Sequence, residues 1–225
     1  MTQGSPETEA GTRNPHREFL KQRHLNRINR VISGEITAEQ AVEESTNREI
    51  ELEDRADHDG LTGLLNFQGF VDAVTIDLKT VQQNNLSAYL AFLDIDKLKE
   101  FNDTRGKMAG NDLIRTYADV LIETTGREQF EHLTVKIGRF GGDECVIFVI
   151  GASNKEMLTL AEEIRIGVPE AVKRTFNEPS LEKTVSVGIT PVRLTDNIQT
   201  LFARGDEQLK QAKLQRNHIV MEASL

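Results

Sequence analysis

The sequence contains few cysteines, no tryptophan and no long apolar run. Its 225 residues include a single cysteine, Cys145. One cysteine excludes a disulfide framework and a cysteine-rich zinc site. No apolar run approaches the roughly 20 residues that a membrane-spanning helix needs, so we expect no membrane span. The N-terminal residues show neither the basic start nor the apolar stretch of a secretory signal, which predicts a cytoplasmic protein.

Positive charge is also scarce. Lys and Arg number 27 against 36 Asp and Glu, which gives a formal net charge of −9. Because neutralising nucleic-acid phosphates needs clustered Lys and Arg, we expect no nucleic-acid partner. An anionic ligand would have to arrive with metal ions or meet a local basic pocket.

The composition divides the chain into three parts. Residues 1–15 are rich in Gly, Pro, Thr and Glu, and they are predicted to be a disordered lead-in. Residues 16–56 contain two helix-like stretches, separated by Ser33-Gly34, and Thr37 with Gln40 forms a capping-box pattern that opens the second. The composition of residues 57–225 is typical of a folded domain.

The two N-terminal helical stretches differ in charge. Residues 13–30 carry six Lys or Arg against one Glu, whereas residues 35–59 carry ten acidic residues against two Arg. An antiparallel pair of helices would therefore place opposite charges side by side. Two interpretations remain open: a hairpin with solvated faces, or a stalk that dimerises or transmits a signal.

Short apolar runs alternate with helical patterns after residue 57. The predicted strands are 89–94, 133–140, 145–150 and 184–189, and the predicted helices are 68–83, 110–125, 154–176 and 199–214. Two adjacent glycines, Gly141 and Gly142, predict a tight hairpin between the second and third strands. Interleaved strands and helices predict an α/β or α+β domain, with its helices on one face of the sheet.

Acidic residues stand at the ends of two of these strands. The first strand ends in Asp94-Ile95-Asp96, and the hairpin tip carries Asp143-Glu144. If the two strands are neighbours, these carboxylates converge on one spot. Carboxylates, water and substrate phosphates are the ligands that Mg²⁺ prefers, so a magnesium site is expected there. With metal bound, an acidic protein can hold a nucleoside triphosphate.

The motifs around these residues resemble those of the GGDEF domain, the diguanylate cyclase family. Five segments match in the family's order: Asp59-Gly-Leu-Thr-Gly-Leu-Leu-Asn66, Asp94 to Asp103 with Gly106 and Gly110, Arg139-Phe-Gly-Gly-Asp-Glu-Cys145, Thr184-Val-Ser-Val-Gly-Ile189, and Ala212-Lys213 with Arg216-Asn217. In the third segment, Cys145 stands where the family usually has Phe. The resemblance covers roughly residues 56–222. The last motif is one residue short, and Phe67-Gln68 stands where the family usually has two arginines.

The resemblance implies a fold and a reaction. The expected fold is α+β and palm-like, with a central, mostly antiparallel sheet flanked by helices and an N-terminal helical segment. The expected reaction joins two GTP molecules into cyclic di-GMP and releases pyrophosphate. Because one domain binds one nucleotide, two domains must face each other, so a homodimer is expected to be the active form.

The resemblance also implies roles for individual residues. The expected ligands of two Mg²⁺ ions, or of Mn²⁺, are Asp94, the backbone carbonyl of Ile95, and Asp143. Asp143 matches the proton acceptor, and Glu144 completes the acidic catalytic cluster. The phosphates are expected to be bound by the backbone amides of Lys97, Leu98 and Lys99 and by the side chains of Lys213 and Arg216. The base is expected to be bound by Asn102 and Asn111.

Asn111 departs from the family pattern. The family has Asp after the glycine at this place, whereas here Gly110 is followed by Asn111 and then Asp112. Aligning the motif from Asp94 through Gly110 with the family pattern assigns the base contact to Asn111. Asp112 is then expected to point elsewhere. A carboxylate accepts from both guanine donors, whereas an amide offers one acceptor and one donor group, which suits adenine better. Either GTP is bound with weaker affinity or guanine preference is lost.

Three functions therefore remain open on the sequence. The first is a cyclase that uses GTP. The second is a cyclic dinucleotide synthase of relaxed purine choice that also accepts ATP. The third is a catalytically silent module that binds a nucleotide or a protein partner. The departures from the family pattern favour this function: they are Phe67-Gln68, Asn111, Cys145, the shortened last motif and Lys107, which stands where the family usually has His.

Overall fold

The structure, a computed structural model, describes residues 15–223, and it describes the side chains of that range apart from residues 15–21, 24 and 49–55. The disordered lead-in predicted for residues 1–15 lies, except for Pro15, outside the described residues. The chain forms two compact units, divided between Asp54 and Arg55. Among the described residues, no helix combines the length and the apolar character needed to cross a bilayer.

The first unit contains α1 (Pro15–Ile32) and most of α2 (Ala38–Asp57). The capping box at the start of α2 is present, since the backbone N–H of Gln40 donates to Thr37 Oγ1 at 3.1 Å and the Thr37 N–H donates to Gln40 Oε1 at 2.9 Å. Arg30 pairs with Glu44 at 3.1 Å, which joins basic α1 to acidic α2. The two helices therefore pair with opposite charges side by side. That they act as a stalk stays a prediction.

The second unit contains one five-stranded sheet and four helices. Its elements are α3 (Phe67–Asn84), β1 (Ala88–Ile95), α4 (Leu98–Thr125), a 3₁₀ turn (Glu128–Phe130), β2 (Thr134–Gly141), β3 (Glu144–Ile150), α5 (Asn154–Phe176), β4 (Val185–Pro191), α6 (Ile198–Gln215) and β5 (Ile219–Met221). The strand order is β2-β3-β1-β4-β5. All neighbours are antiparallel except β4 and β5, which are parallel. The predicted α+β fold with a mostly antiparallel sheet is confirmed.

The helices cover both faces of the sheet, so the prediction of helices on one face is wrong. On β1, Leu93 and Ile95 belong to a core that includes residues of α4 and α5. Leu90 and Phe92, which point to the opposite face, belong to a second core that includes residues of α3 and α6. The central strand is consequently covered by helices on both sides.

Helix α4 begins twelve residues earlier than the pattern at 110–125 predicts. Gly106 lies inside it with φ 84° and ψ 162°, which are not helical angles. Glycine adopts a positive φ without a steric penalty, so the helix can kink there. The kink interrupts the apolar periodicity, and the first part of the helix is mostly polar. The short strand β5 is a second element that the sequence pattern does not predict.

Helix α6 lies unusually close to β4 because of Gly188. A Cβ built on Gly188 would stand 2.0 Å from the backbone nitrogen of Leu209. A Cβ built on Gly205, on the facing side of α6, would stand 2.6 Å from the Phe92 ring. Both glycines therefore let the helix approach the sheet. This close packing brings the C-terminal end of α6 to the end of β1.

Candidate active site

The end of β1 places a carboxylate next to an ammonium group from α6. Asp94 is 18% exposed, and its Oδ1 pairs with the Nζ of Lys213. The same Nζ lies 3.4 Å from the carbonyl oxygen of Ile95 and 3.6 Å from Asp96 Oδ1. Burial lowers the pKa of Lys213 to about 8, and the positive charge of Arg216 adds to the shift. The structure thus brings together three residues that the sequence analysis assigns to the site: Asp94, Ile95 and Lys213.

The β2–β3 hairpin brings the second acidic pair to the same end of the sheet. Glu144 is the cross-strand partner of Asp94 on the neighbouring strand. Asp143 and Glu144 are both half-buried. Burial raises the pKa of Asp143, and the negative charge of Asp96 raises it further. Burial also raises the pKa of Glu144, with contributions from Asp206 and Asp143. Both carboxyls therefore lie where additional positive charge would stabilise their ionised forms.

An arginine clamp fixes the hairpin tip. Arg139 donates through Nη1 to both oxygens of Asp59, at 2.8 and 2.9 Å, and through Nη2 to the Gly142 carbonyl at 2.7 Å. Burial opposes ionisation of Asp59, but the hydrogen bond from Thr62 and the pairing with Arg139 outweigh it and lower the pKa of Asp59. The clamp ties the hairpin that presents Asp143 to the loop at the start of the domain.

Asp96 does not join the exposed acidic cluster. Its side chain is 4% exposed, and it accepts hydrogen bonds from neighbouring protein groups rather than facing an open site. Of the four carboxylates at this end of the sheet, Asp96 therefore has hydrogen-bond partners within the protein, and Asp94 is paired with Lys213.

The turn between β1 and α4 is shaped to expose backbone amides. Lys97 precedes the helix with φ 60° and ψ 37°, and no side chain of its own caps the helix. The ammonium of Lys183 donates to the Lys97 carbonyl at 3.1 Å, which supports this left-handed conformation. Leu98 is buried and Lys99 is exposed. The first N–H groups of a helix have no intrahelical acceptor, so this turn can bind an anion.

The residues assigned to the base lie near the kink of α4. Asn102 Oδ1 is buried and, within the described part of the chain, has no hydrogen-bond partner. A Cβ on Gly110 would stand 1.8 Å from that oxygen, so only glycine leaves room for it. Asn111 is half-buried, whereas Asp112 is exposed and pairs with Arg115 at 2.8 Å. Asp112 therefore has a partner on its own helix, and the assignment of the base contact to Asn111 stays a prediction.

Arg216 ends α6 at the same side of the domain. It is exposed, has φ 59°, and is followed by Asn217 with φ 45°. Asn217 Oδ1 accepts a hydrogen bond from Arg165 at 2.7 Å. The chain therefore turns sharply immediately after the helix that presents Lys213.

The donor set suits Mg²⁺ only together with a ligand. Among the side chains that the structure describes, no group of three or more His, Cys, Asp or Glu is placed to hold a metal ion. Mg²⁺, however, is commonly held by one or two carboxylates, waters and substrate phosphates rather than by an all-protein cage. Asp94, the Ile95 carbonyl and Asp143 are oxygen donors of this kind. The residues therefore fit a magnesium ion that arrives with a nucleotide.

Sequence reasoning missed two features of the site. One is the clamp between Arg139 and Asp59, which are 80 positions apart. The other is the burial of Asp96 among polar partners. The clamp could have been predicted from the opposite charges of Arg139 and Asp59, because each of them lies inside one of the matching motifs. No signal in the sequence distinguishes the environment of Asp96 from that of Asp94.

Comparison with known proteins identifies the family. The family model described as "Diguanylate cyclase, GGDEF domain" matches residues 56–218. The diguanylate cyclase DosC of Escherichia coli (strain K12) is 27% identical over 222 residues, which are 97% of this chain and 46% of DosC. The diguanylate cyclase DgcP of Pseudomonas aeruginosa is 30% identical over 155 residues, which are 69% of this chain and 22% of DgcP. The chain thus spans about half of DosC and less of DgcP.

A solved structure agrees with this assignment. The coiled coil and GGDEF domain of DgcB from Caulobacter crescentus, in complex with c-di-GMP, superposes with a TM-score of 0.73 at 26% identity. The match covers 85% of this chain and 100% of that chain. With the family model matching most of the sequence, the chain belongs to the GGDEF family of diguanylate cyclases.

Proposed function

We propose that this protein is a diguanylate cyclase, a nucleotidyltransferase that condenses two GTP molecules into cyclic di-GMP with release of pyrophosphate. The observation that carries the proposal is the pairing of β1 with β3, which sets Asp94 opposite Glu144 and brings Asp143 to the same end of the sheet as Lys213. Acidic metal ligands, a cationic phosphate contact and a base pocket are the parts that this reaction needs. The preserved acidic pair speaks against a silent binding module.

Two Mg²⁺ ions, or Mn²⁺, would be held by Asp94, the Ile95 carbonyl and Asp143. When bound, they would supply a lowered pKa for the attacking 3′-hydroxyl and neutralise charge on the α-phosphate. Asp143 would accept the proton from that hydroxyl, and Glu144 would complete the acidic cluster beside it.

The phosphates would be bound by chain groups on two sides. The backbone amides of residues 97–99 would bind phosphate oxygens at the start of α4, and the side chains of Lys213 and Arg216 would bind them from the end of α6. Lys213 is paired with Asp94 in this structure. It can therefore exchange that carboxylate for a phosphate oxygen while remaining in place.

Base recognition would rest on Asn102 and Asn111. The Asn102 oxygen is buried and has no partner among the described residues, so it can accept a hydrogen bond from guanine N1–H or N2–H₂. Asn111 favours a second candidate function, in which ATP is also accepted and adenine-containing cyclic dinucleotides are made. The support is the amide of Asn111 at the position where the family has a carboxylate, next to Asp112, which is exposed and pairs with Arg115.

Catalysis would require a homodimer, since each domain binds one nucleotide. The N-terminal helix pair could bring two domains together. Among the side chains of this pair that the structure describes, the exposed apolar ones are Leu25, Ile28, Ile32 and Val42. These side chains are suited to burial against a second copy. The proposal places the enzyme in the cytoplasm, where GTP and Mg²⁺ are present.

The test is product analysis with defined nucleotides. Purified protein is incubated with Mg²⁺ and GTP, with ATP, or with both, and the products are separated by mass. Cyclic di-GMP from GTP alone supports the cyclase, and a mixed or all-adenine cyclic dinucleotide supports relaxed purine choice. Nucleotide binding without any cyclic product would contradict both and indicate a silent module.

A further inference from the structure

Asp96 is a buried carboxylate on which several polar groups converge. Its Oδ2 accepts from Thr184 Oγ1 at 2.7 Å and from the backbone N–H of Asn217 at 2.8 Å. Its Oδ1 accepts from Ser186 Oγ at 2.8 Å and lies 3.6 Å from Lys213 Nζ. Only a carboxylate offers two oxygens that both accept, so no other side chain of this size can satisfy all of these donors.

The partners of Asp96 come from two separate parts of the chain. Thr184 immediately precedes β4 and Ser186 lies in its first residues, 88 and 90 positions away from Asp96, whereas Asn217 follows the end of α6, 121 positions away. The hydroxyl groups of β4 fix the carboxylate from one side. The carboxylate in turn fixes the turn after α6, where Arg216 and Asn217 both have positive φ.

A second buried carboxylate holds the opposite end of the same helix. Asp196, whose side chain is 5% exposed, pairs with Arg204 and accepts from the Arg193 N–H at 2.7 Å, next to the start of α6. Asp96 and Asp196 are thus alike in charge and burial. They differ in which end of α6 they anchor, and only the end held by Asp96 presents Lys213.

We propose that Asp96 is a positioning residue that locks the C-terminal end of α6, so that Lys213 and Arg216 are held in place for the β- and γ-phosphates of the nucleotide. This inference rests on the proposed function for the identity of the ligand. It also explains how a phosphate-contacting motif one residue shorter than the family pattern stays ordered: the backbone amide of Asn217 is docked on Asp96.

The experiment compares Asp96→Ala with its matched control, Asp196→Ala. Hydrogen–deuterium exchange of the free proteins reports on the anchoring without any nucleotide. In Asp96→Ala, amides of residues 213–219 should exchange at least about tenfold faster, while those of residues 198–204 stay as in the parent. Asp196→Ala should show the reverse. Unchanged protection of residues 213–219 in Asp96→Ala would overturn the inference.

Binding measurements test the consequence for phosphate recognition. The probes are a GTP analogue with a methylene group between the α- and β-phosphorus atoms, which cannot be turned over, and GMP. Asp96→Ala should weaken binding of the analogue about tenfold and leave GMP within about twofold, and Asp196→Ala should leave the ratio of the two affinities unchanged. Tighter binding of the analogue by Asp96→Ala would mean that Asp96 acts only as a repulsive charge, and would overturn the proposal.

A milder variant covers the case in which Asp96→Ala does not fold. Thr184→Val keeps the shape of the side chain and removes one donor to Asp96, and it should change both readouts in the same direction by a smaller factor. No change in either readout would count against Asp96. If the parent binds neither probe, the proposed function fails, and the exchange experiment alone decides the positioning role.

Discussion

Replacing Gly188 with alanine should displace helix α6 from the sheet. The added Cβ would stand 2.0 Å from the Leu209 nitrogen and 2.4 Å from the Gln208 carbonyl carbon, whereas ordinary contact begins at 3.4 Å. These atoms are backbone, so no side-chain rotation can relieve the overlap. The helix would have to move away by roughly 1.4 Å, the shortfall in the Leu209 contact.

The size of the effect follows from overpacking in a closed core. Adding one methyl group where no space exists typically costs about 1–3 kcal/mol, and the rigid neighbour places Gly188→Ala at the upper end. In a domain of this size, about 1 kcal/mol shifts the melting temperature by roughly 2–4 °C. We therefore expect Gly188→Ala to melt roughly 6–12 °C below the parent. Because α6 presents Lys213, affinity for GTP should also fall.

Thermal unfolding followed by circular dichroism measures this directly. Gly60→Ala is the matched control, because a Cβ there meets nothing within 4 Å and Gly60 does not have a positive φ. It should melt within about 2 °C of the parent. A Gly188→Ala protein that melts with the parent and binds GTP equally well would refute the close approach of α6 to β4.

Three further outcomes are expected. Asp59→Asn should be less stable than the parent at pH 7, and in urea unfolding the difference in free energy of unfolding should shrink below about pH 4. The reason is that the lowered pKa of Asp59 gives a stabilisation that is lost as the pH falls through that pKa. A difference that stays constant with pH would contradict this. Gly110→Ala should displace the Asn102 side chain and weaken GTP binding about tenfold in calorimetry with little change in melting temperature, since the overlap is with a side chain that can rotate; parental affinity would contradict it. Asn111→Asp should raise the ratio of specificity constants for GTP over ATP about 10- to 100-fold in steady-state assays, and an unchanged ratio would assign base choice to Asn102 and pocket shape.

Local pattern in the sequence predicted most of the strands and the hairpin. The apolar runs before Asp94 and around Gly141-Gly142 are short and bounded by turn residues, and strands β1, β2 and β3 begin and end within one residue of their predicted limits. The start of α4 was missed because its first turns are polar and Gly106 interrupts the periodicity. The apolar run Tyr89–Leu93 already favoured burial on both faces of β1, which is the feature that the prediction of one helical face overlooked.

The residues of the site were predicted as types and positions, but their pairings were not. Resemblance to the family named Asp94 and Lys213 as separate contacts. The structure shows them bound to each other across 119 positions of sequence. Long-range pairings of this kind depend on how the helices pack against the sheet. Close packing at Gly188 sets the position of α6 and therefore of Lys213, and local periodicity in the sequence does not predict this packing.

The central claim is that the carboxylates at the ends of β1 and the hairpin carry out the synthesis of cyclic di-GMP. The most direct measurement is the initial rate of cyclic di-GMP formation from GTP in Mg²⁺, compared between the parent, Asp143→Asn and the control Asp112→Asn. The control removes an exposed carboxylate that pairs only with Arg115 among the contacts described. We expect Asp143→Asn to lose at least about 100-fold of the rate at a parental melting temperature, and Asp112→Asn to keep the parental rate. A near-parental rate for Asp143→Asn would contradict it.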